Sequence, residues 1–354
     1  MSTSKRSAPT ISYAQAIAEA IRQEMERDPG VFVYGLGVDD AKGMYGTTLD
    51  LHRDFGADRC FDTPLAEDAM TGFGVGAAIA GMRPIHVHQR MDFLMLCMNQ
   101  LVNMAAKQRY MSNGAVSVPL VVRGIVGRSW GQGAQHSQAF HSFFMHVPGL
   151  KVVAPSTPHD AKGCMVAAIR DDNPVIVMEH RMLYGNTGIV PERSYAVPFG
   201  KARTLAEGDD VTIVAISHMV VEALRAKHLL EEIGVSAEII DPVSLAPLDA
   251  AAIAASVEKT GRLVVVDTSW LACGAGAEIV AQTQERLQGR CAFSALRLGY
   301  APTPCPTTRP LEDVFYPNAK SIASKVAALV GRAPGEWQGR EINAREIAEF
   351  RGPF

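Results

Sequence analysis

Short apolar runs alternate with stretches of helical period along almost the whole chain, and that alternation restricts the fold more than any other feature. The runs at 31–34, 84–88, 118–122, 150–153 and 175–178 read as strands, and 12–27, 70–80, 92–110 and 160–169 as the helices between them. A strand that reaches the next through a helix of that length has a parallel neighbour, which predicts a doubly wound α/β sheet. The pattern loosens at 186–208, where Gly188, Pro191, Pro198 and Gly200 sit among polar residues, and then resumes. Strands are expected at 211–216, 236–240, 262–267 and 292–298, with helices at 219–233, 249–258 and 274–287. A chain of 354 residues is longer than one core usually supports. The expectation is therefore two doubly wound α/β domains, 10–185 and 209–331, joined by a linker at 186–208 and followed by a tail at 332–354 that forms an arm or a frayed end.

Bulk properties narrow the partners. The net charge of -3 gives no reason to expect nucleic acid or an anionic membrane, and no apolar run approaches the length of a span. Six cysteines lie far apart without a paired spacing, which argues against a zinc site or a disulfide framework and fits a reducing cytosol. The polar start, with Lys5 and Arg6, lacks an apolar secretory segment, so a cytoplasmic location is expected.

Three stretches are candidates for chemistry. Gly133, Ala134, Gln135, His136, Ser137 and Gln138 make a glycine-entered loop around a histidine that titrates near neutrality, beyond an apolar run; amides and a hydroxyl flank it. A proline turn at Pro64 delivers Glu67 to the start of a helix rich in small residues. Gly72, Gly74 and Gly76 lack the spacing of a dinucleotide fingerprint, and close helix packing explains them better. His86 and His88 share one strand face; with no third ligand at recognisable spacing, buried and hydrogen-bonded histidines are favoured over a metal site.

Taken together, the blocks from Phe61 to Glu67, Gln100 to Asn103, Ala106 to Ser112, Gly133 to Gln138, Pro148 to Pro155 and Pro247 to Asp249 resemble the β subunit of thiamine-diphosphate-dependent 2-oxo acid dehydrogenases. Pyruvate, branched-chain 2-oxo acid and acetoin dehydrogenases share this subunit. The resemblance covers roughly residues 10 to 330 in order and implies a transketolase-like pyrimidine-binding domain followed by a transketolase C-terminal-like domain. It implies an α2β2 heterotetramer in which a separate α subunit holds Mg2+ and the diphosphate, with a β–β dimer and a lipoyl-bearing acyltransferase as further partners. Glu67 is then the carboxyl that hydrogen-bonds the cofactor's aminopyrimidine, flanked by Leu65, and should be shielded from water. His136, with Gln135 and Arg128, would face the substrate. Ala168, Asp171 and Asn173 match a loop where family members often hold a structural potassium ion (K+), although a helix end and turn explain them equally well.

Departures from the family pattern cluster around the cofactor. Leu36 and Gly37 stand where two acids are expected, Val87 where a strand glutamate is expected, and Arg90 and Met91 where an aromatic ring usually packs on the pyrimidine. Arg128 and Trp130 replace small glycines before His136. Arg90 could clamp a carboxylate or phosphate of an unusual donor, or pair with an acid of the partner. The first functional expectation is oxidative decarboxylation of a 2-oxo acid, or cleavage of acetoin, with acyl transfer to lipoamide. Two alternatives are a split transketolase-like carboligase that uses an aldehyde acceptor, and a non-catalytic scaffolding subunit.

Overall fold

The computed structural model describes residues 8–128 and 131–337. They form two compact units: the chain up to Ile125 with His146–Phe199, and Val126–Met145 with the chain from Gly200. Trp130, the Lys5-Arg6 start and the tail from 338 lie outside the described residues. Among the described residues no helix is long and apolar enough to cross a membrane.

In the first unit six strands lie side by side in the order Lys151–Val153, Val175–His180, Val121–Val126, Arg83–His88, Val31–Gly35 and Cys60–Asp62. The pairings of Val31–Gly35 with both neighbours, of Arg83–His88 with Val121–Val126, and of Lys151–Val153 with Val175–His180 are parallel. The central strands are buried end to end, as continuous apolar runs require when helices cover both faces. The first helix, Tyr13–Arg27, opens on a capping box in which Ser12 accepts from Gln15 N and Gln15 reaches back to Ser12. In the second unit Ser294–Tyr300, Arg262–Trp270, Val211–Ala215 and Ala237–Asp241 are parallel neighbours, and Arg203–Ala206 closes the edge antiparallel.

Several expectations change. Residues 92–110 do not form one helix: Met91–Cys97 winds as a 3-10 helix, Asn99–Ala105 as a π-helix and Ala106–Met111 as an α-helix. Met91, Leu94 and Cys97 are all fully buried, a period of three that only the tighter winding puts on one line. The strand expected at 118–122 runs instead over Val121–Val126, because Arg123 points inward to an ion pair and its neighbour Gly124 stays in register with His88. The expected linker carries Thr187–Ile189, paired with Thr10–Ser12, and Arg203–Ala206. Within the expected arm, Trp337 joins the second unit's core. So does the unanticipated helix Ala319–Leu329, through Ala319, Ile322, Ala323, Val326 and Ala327. That spacing, behind an Asn318 cap, was readable as an amphipathic helix.

The helix Glu67–Ile79 divides its glycines between two tasks. A Cβ at Gly74 would sit 2.0 Å from the Tyr34 hydroxyl, whereas at Gly76 it would meet nothing within 4 Å. Gly74→Ala should therefore lower stability by about 1–3 kcal/mol, while Gly76→Ala should be neutral or stabilising by up to about 1 kcal/mol. Thermal unfolding of the two variants checks the order.

Candidate functional site

Glu67 begins the helix Glu67–Ile79, directly beyond the edge strand Cys60–Asp62. It is half-buried, and among the described residues no hydrogen bond or ion pair engages its carboxylate. In this chain the side chain is half shielded from water. Leu65, two residues before it, is 74% exposed. What fixes Glu67 is its backbone: the Cys97 thiol donates to the Glu67 carbonyl at 3.3 Å and also approaches the Phe93 carbonyl at 3.9 Å. One side chain therefore ties the helix start to the 3-10 segment that carries the half-exposed Phe93. Met91 cannot serve as the apolar surface for a pyrimidine, because it is fully buried; a Cβ at Gly124 would lie 3.1 Å from its methyl carbon. Phe93, half-exposed on the same 3-10 segment, is an aromatic ring that reading of the sequence did not single out.

Behind Glu67 lies a buried polar chain. His86 Nδ1 is 3.3 Å from Thr71 Oγ1 and 3.2 Å from His88 Nε2, and Cys97 Sγ is 3.9 Å from that same His88 nitrogen. The His86 ring stacks on Tyr34 with centroids 4.4 Å apart. Burial holds His86 well below its usual value, with the His88 charge adding to it, and pushes His88 down to about 3. Burial also raises the Cys97 thiol to about 11. Both rings are buried and hydrogen-bonded, as the sequence reading favoured.

Arg90 leaves the strand Arg83–His88 and is buried rather than presented at a surface; its Nη1 donates to the Tyr45 hydroxyl at 2.7 Å. Beneath it, Arg123 grips Glu179 at 2.6 and 2.9 Å and donates to Thr47 at 2.6 Å, and Tyr184 donates to Glu179 at 2.8 Å. At the far end of the unit, Ala168, Asp171 and Asn173 do come together. The Ala168 carbonyl accepts from Asp171 N, and Asn173 donates twice to the Asp171 carboxylate at 2.9 Å. The cation against Asp171 is the Lys151 ammonium, so a positive charge is already supplied where potassium was expected. The Lys151 and Asn173 contacts outweigh the burial of Asp171 and hold its carboxyl below its usual value.

His136 belongs to the second unit. Gly133, at φ 69°, turns the loop, and His136 N donates to Gly133 O at 3.4 Å. Gly127 lies so close that a Cβ there would be 2.0 Å from the His136 carbonyl. Downstream, Ser269 donates to the Ala139 carbonyl at 2.8 Å, and His141 Nε2 is 3.0 Å from Asp267. His136 is half-buried and Gln135 is exposed. Arg128 lies with its guanidinium 4.1 Å from the Tyr316 ring centre and 3.4 Å from His218 Nδ1, so it is engaged in this unit's own packing.

Residues 9–187 match the model of the transketolase pyrimidine-binding domain, and residues 200–322 that of the transketolase C-terminal domain. Fold and matches together define a two-domain chain of the transketolase type. A solved split-gene transketolase, described as an inactive β4 tetramer, aligns with a TM-score of 0.75 over 91% of this chain and 99% of its own; at 20% identity it speaks for the fold alone. Among curated proteins, the β subunit of acetoin:2,6-dichlorophenolindophenol oxidoreductase from Cupriavidus necator is 45% identical over 329 residues, covering 89% of this chain and 96% of that one. The mitochondrial pyruvate dehydrogenase E1 component subunit β of Caenorhabditis elegans is 42% identical, covering 92% and 94%. The chain belongs to the family of pyruvate and acetoin dehydrogenase E1 β subunits, and is a component of an oxidoreductase.

The buried histidines predict an acid sensitivity. The unfolded chain takes up protons at these rings near the ordinary value of 6.5, whereas the folded chain does not until far lower pH. Stability is therefore full above 6.5 and falls below it, by about 1.4 kcal/mol per pH unit for each ring. His88→Gln should remove one share of that slope, as thermal unfolding from pH 7.5 to 5 would show.

Proposed function

We propose that this β subunit joins a separate α subunit as α2β2, and that the assembly decarboxylates a 2-oxo acid, or cleaves acetoin, on thiamine diphosphate and passes the acyl unit to a lipoyl group. The observation that carries this reading is the unengaged, half-buried carboxylate of Glu67, at the start of a helix tied through Cys97 to the segment that carries the half-exposed Phe93. An aminopyrimidine needs such an acceptor and such an apolar face, so these residues fit the cofactor, with Leu65 at the rim. Thiamine diphosphate, when bound, supplies the electron sink that decarboxylation requires. Glu67 would hold a proton at the pyrimidine ring, Phe93 would orient that ring, and His136 would move protons on the substrate. The α subunit would hold Mg2+ and the diphosphate. A lipoyl-bearing acyltransferase would take the product.

A partner is supported by the outward face of the Glu67–Ile79 helix. Phe73 and Ile79 are 46% and 44% exposed. Among the described residues nothing lies within 4 Å of a Cβ at Gly76, and at 72 a Cβ would meet only Gln100 at 3.6 Å. Bare backbone between exposed apolar side chains suits close approach by another subunit, α or a second β. All six cysteines are free thiols, which supports a reducing, cytoplasmic setting.

Co-expression with the α subunit tests the reading. Glu67→Gln should lower turnover by about 100-fold or more while size-exclusion chromatography still shows the assembled complex; full activity in that variant would overturn the assignment. Turnover with 2-oxo acid and lipoamide, against 2-oxo acid and an aldehyde, separates a dehydrogenase from a carboligase. Gly76→Leu should leave the isolated chain folded and abolish assembly, as read by the same column.

A further inference from the structure

In the second unit the strand Arg262–Trp270 and the histidine loop meet in register. Alternate residues of a strand face one side. Asp267 and Ser269 both engage the loop, while Thr268 between them shares a hydrogen bond with the Tyr300 hydroxyl at 2.9 Å. The loop answers with the same spacing. Ser269 Oγ donates to the Ala139 carbonyl at 2.8 Å, and His141 Nε2 lies 3.0 and 3.3 Å from the two Asp267 oxygens. A slip of one residue would break both contacts at once.

The second contact is the more demanding. His141 and Asp267 are 0% and 1% exposed, and among the described residues no other group donates to the Asp267 carboxylate. A buried carboxylate that loses its one partner is strongly penalised, so loop positions that withdraw the imidazole are disfavoured. Upstream the loop is held by shape instead. Gly131 and Gly133 lie in the left-handed region at φ 64° and 69°. A Cβ would stand 3.0 Å from the Thr307 carbonyl oxygen at Gly131, and 2.8 Å from the Thr307 methyl at Gly133. His136 lies three residues after Gly133 and three before Ala139, between the two anchors.

Resting on the role proposed for His136, we propose that His141 and Asp267 are positioning residues for it: their buried imidazole–carboxylate contact fixes the register of the loop on the strand, and so the place from which His136 serves the reaction. In the α2β2 complex His141→Leu should lower kcat about tenfold or more and change KM by less than about twofold, because a displaced His136 slows the chemistry. His141→Gln, whose amide can still donate to Asp267, should recover most of the loss. His141→Leu combined with Asp267→Leu removes the unpaired carboxylate, so thermal unfolding of this double variant should match that of the unaltered chain while kcat stays low. A double variant that recovers kcat assigns the pair to stability alone and overturns the proposal, as does a His141→Gln variant no better than His141→Leu. Hydrogen exchange over residues 133–141 of the isolated full chain reads the loop without turnover. It should quicken about tenfold in the double variant, and unchanged exchange overturns the proposal. Quickened exchange in a chain whose unaltered complex turns over neither 2-oxo acid nor acetoin would instead overturn the proposed function and leave the anchoring of the loop standing.

Discussion

The buried fork between Arg123 and Glu179 is the contact on which the first unit's working edge depends. Both side chains are fully buried, on the strands Val121–Val126 and Val175–His180, and the guanidinium meets the carboxylate on both oxygens. Removing two charges from water costs more than a loose pair returns, so such a contact persists only where geometry and extra hydrogen bonds complete it. Thr47 and Tyr184 complete this one. Through them the fork reaches two further segments, the loop that carries Tyr45 and the turn after Val175–His180. The polar edge is thereby held by an interior contact.

The helix Glu67–Ile79 shows how one sequence pattern can serve two packing problems. Gly74 admits the Tyr34 hydroxyl, which donates to the Met70 carbonyl at 3.0 Å. Gly72 and Gly76 answer to nothing comparable within the chain. From the sequence alone these residues form one undivided small-residue stripe; only the fold separates the inward glycine from the outward ones. Glu67 is held by neither set but by a thiol on its carbonyl, which leaves its carboxylate uncommitted.

Much of the architecture was legible because it rests on local signals. Strand and helix alternation, the Ser12 capping box and the Thr157 cap appear where spacing and cap chemistry place them. The failures have a common cause, which is tertiary contact overriding local period. Met91, Leu94 and Cys97 abandon an α-helix to bury every third residue, and Arg123 stays in a strand because its partner lies 56 residues away. The family motifs pointed to Glu67 and His136, whereas the approach of Arg90 and Arg181 to Tyr45 is a property of the folded sheet. Met91 shows the hazard of carrying over a position by order alone: its side chain faces the core.

The path of the chain between the units has a consequence for how such a subunit can be divided. Residues from Val126 to Met145 leave the first unit and are bound within the second, where Asp267, Ser269 and Thr307 hold the loop. A fragment ending near Phe199 would carry this loop without the residues that hold it. The histidine loop therefore keeps these contacts only in a chain that contains both segments.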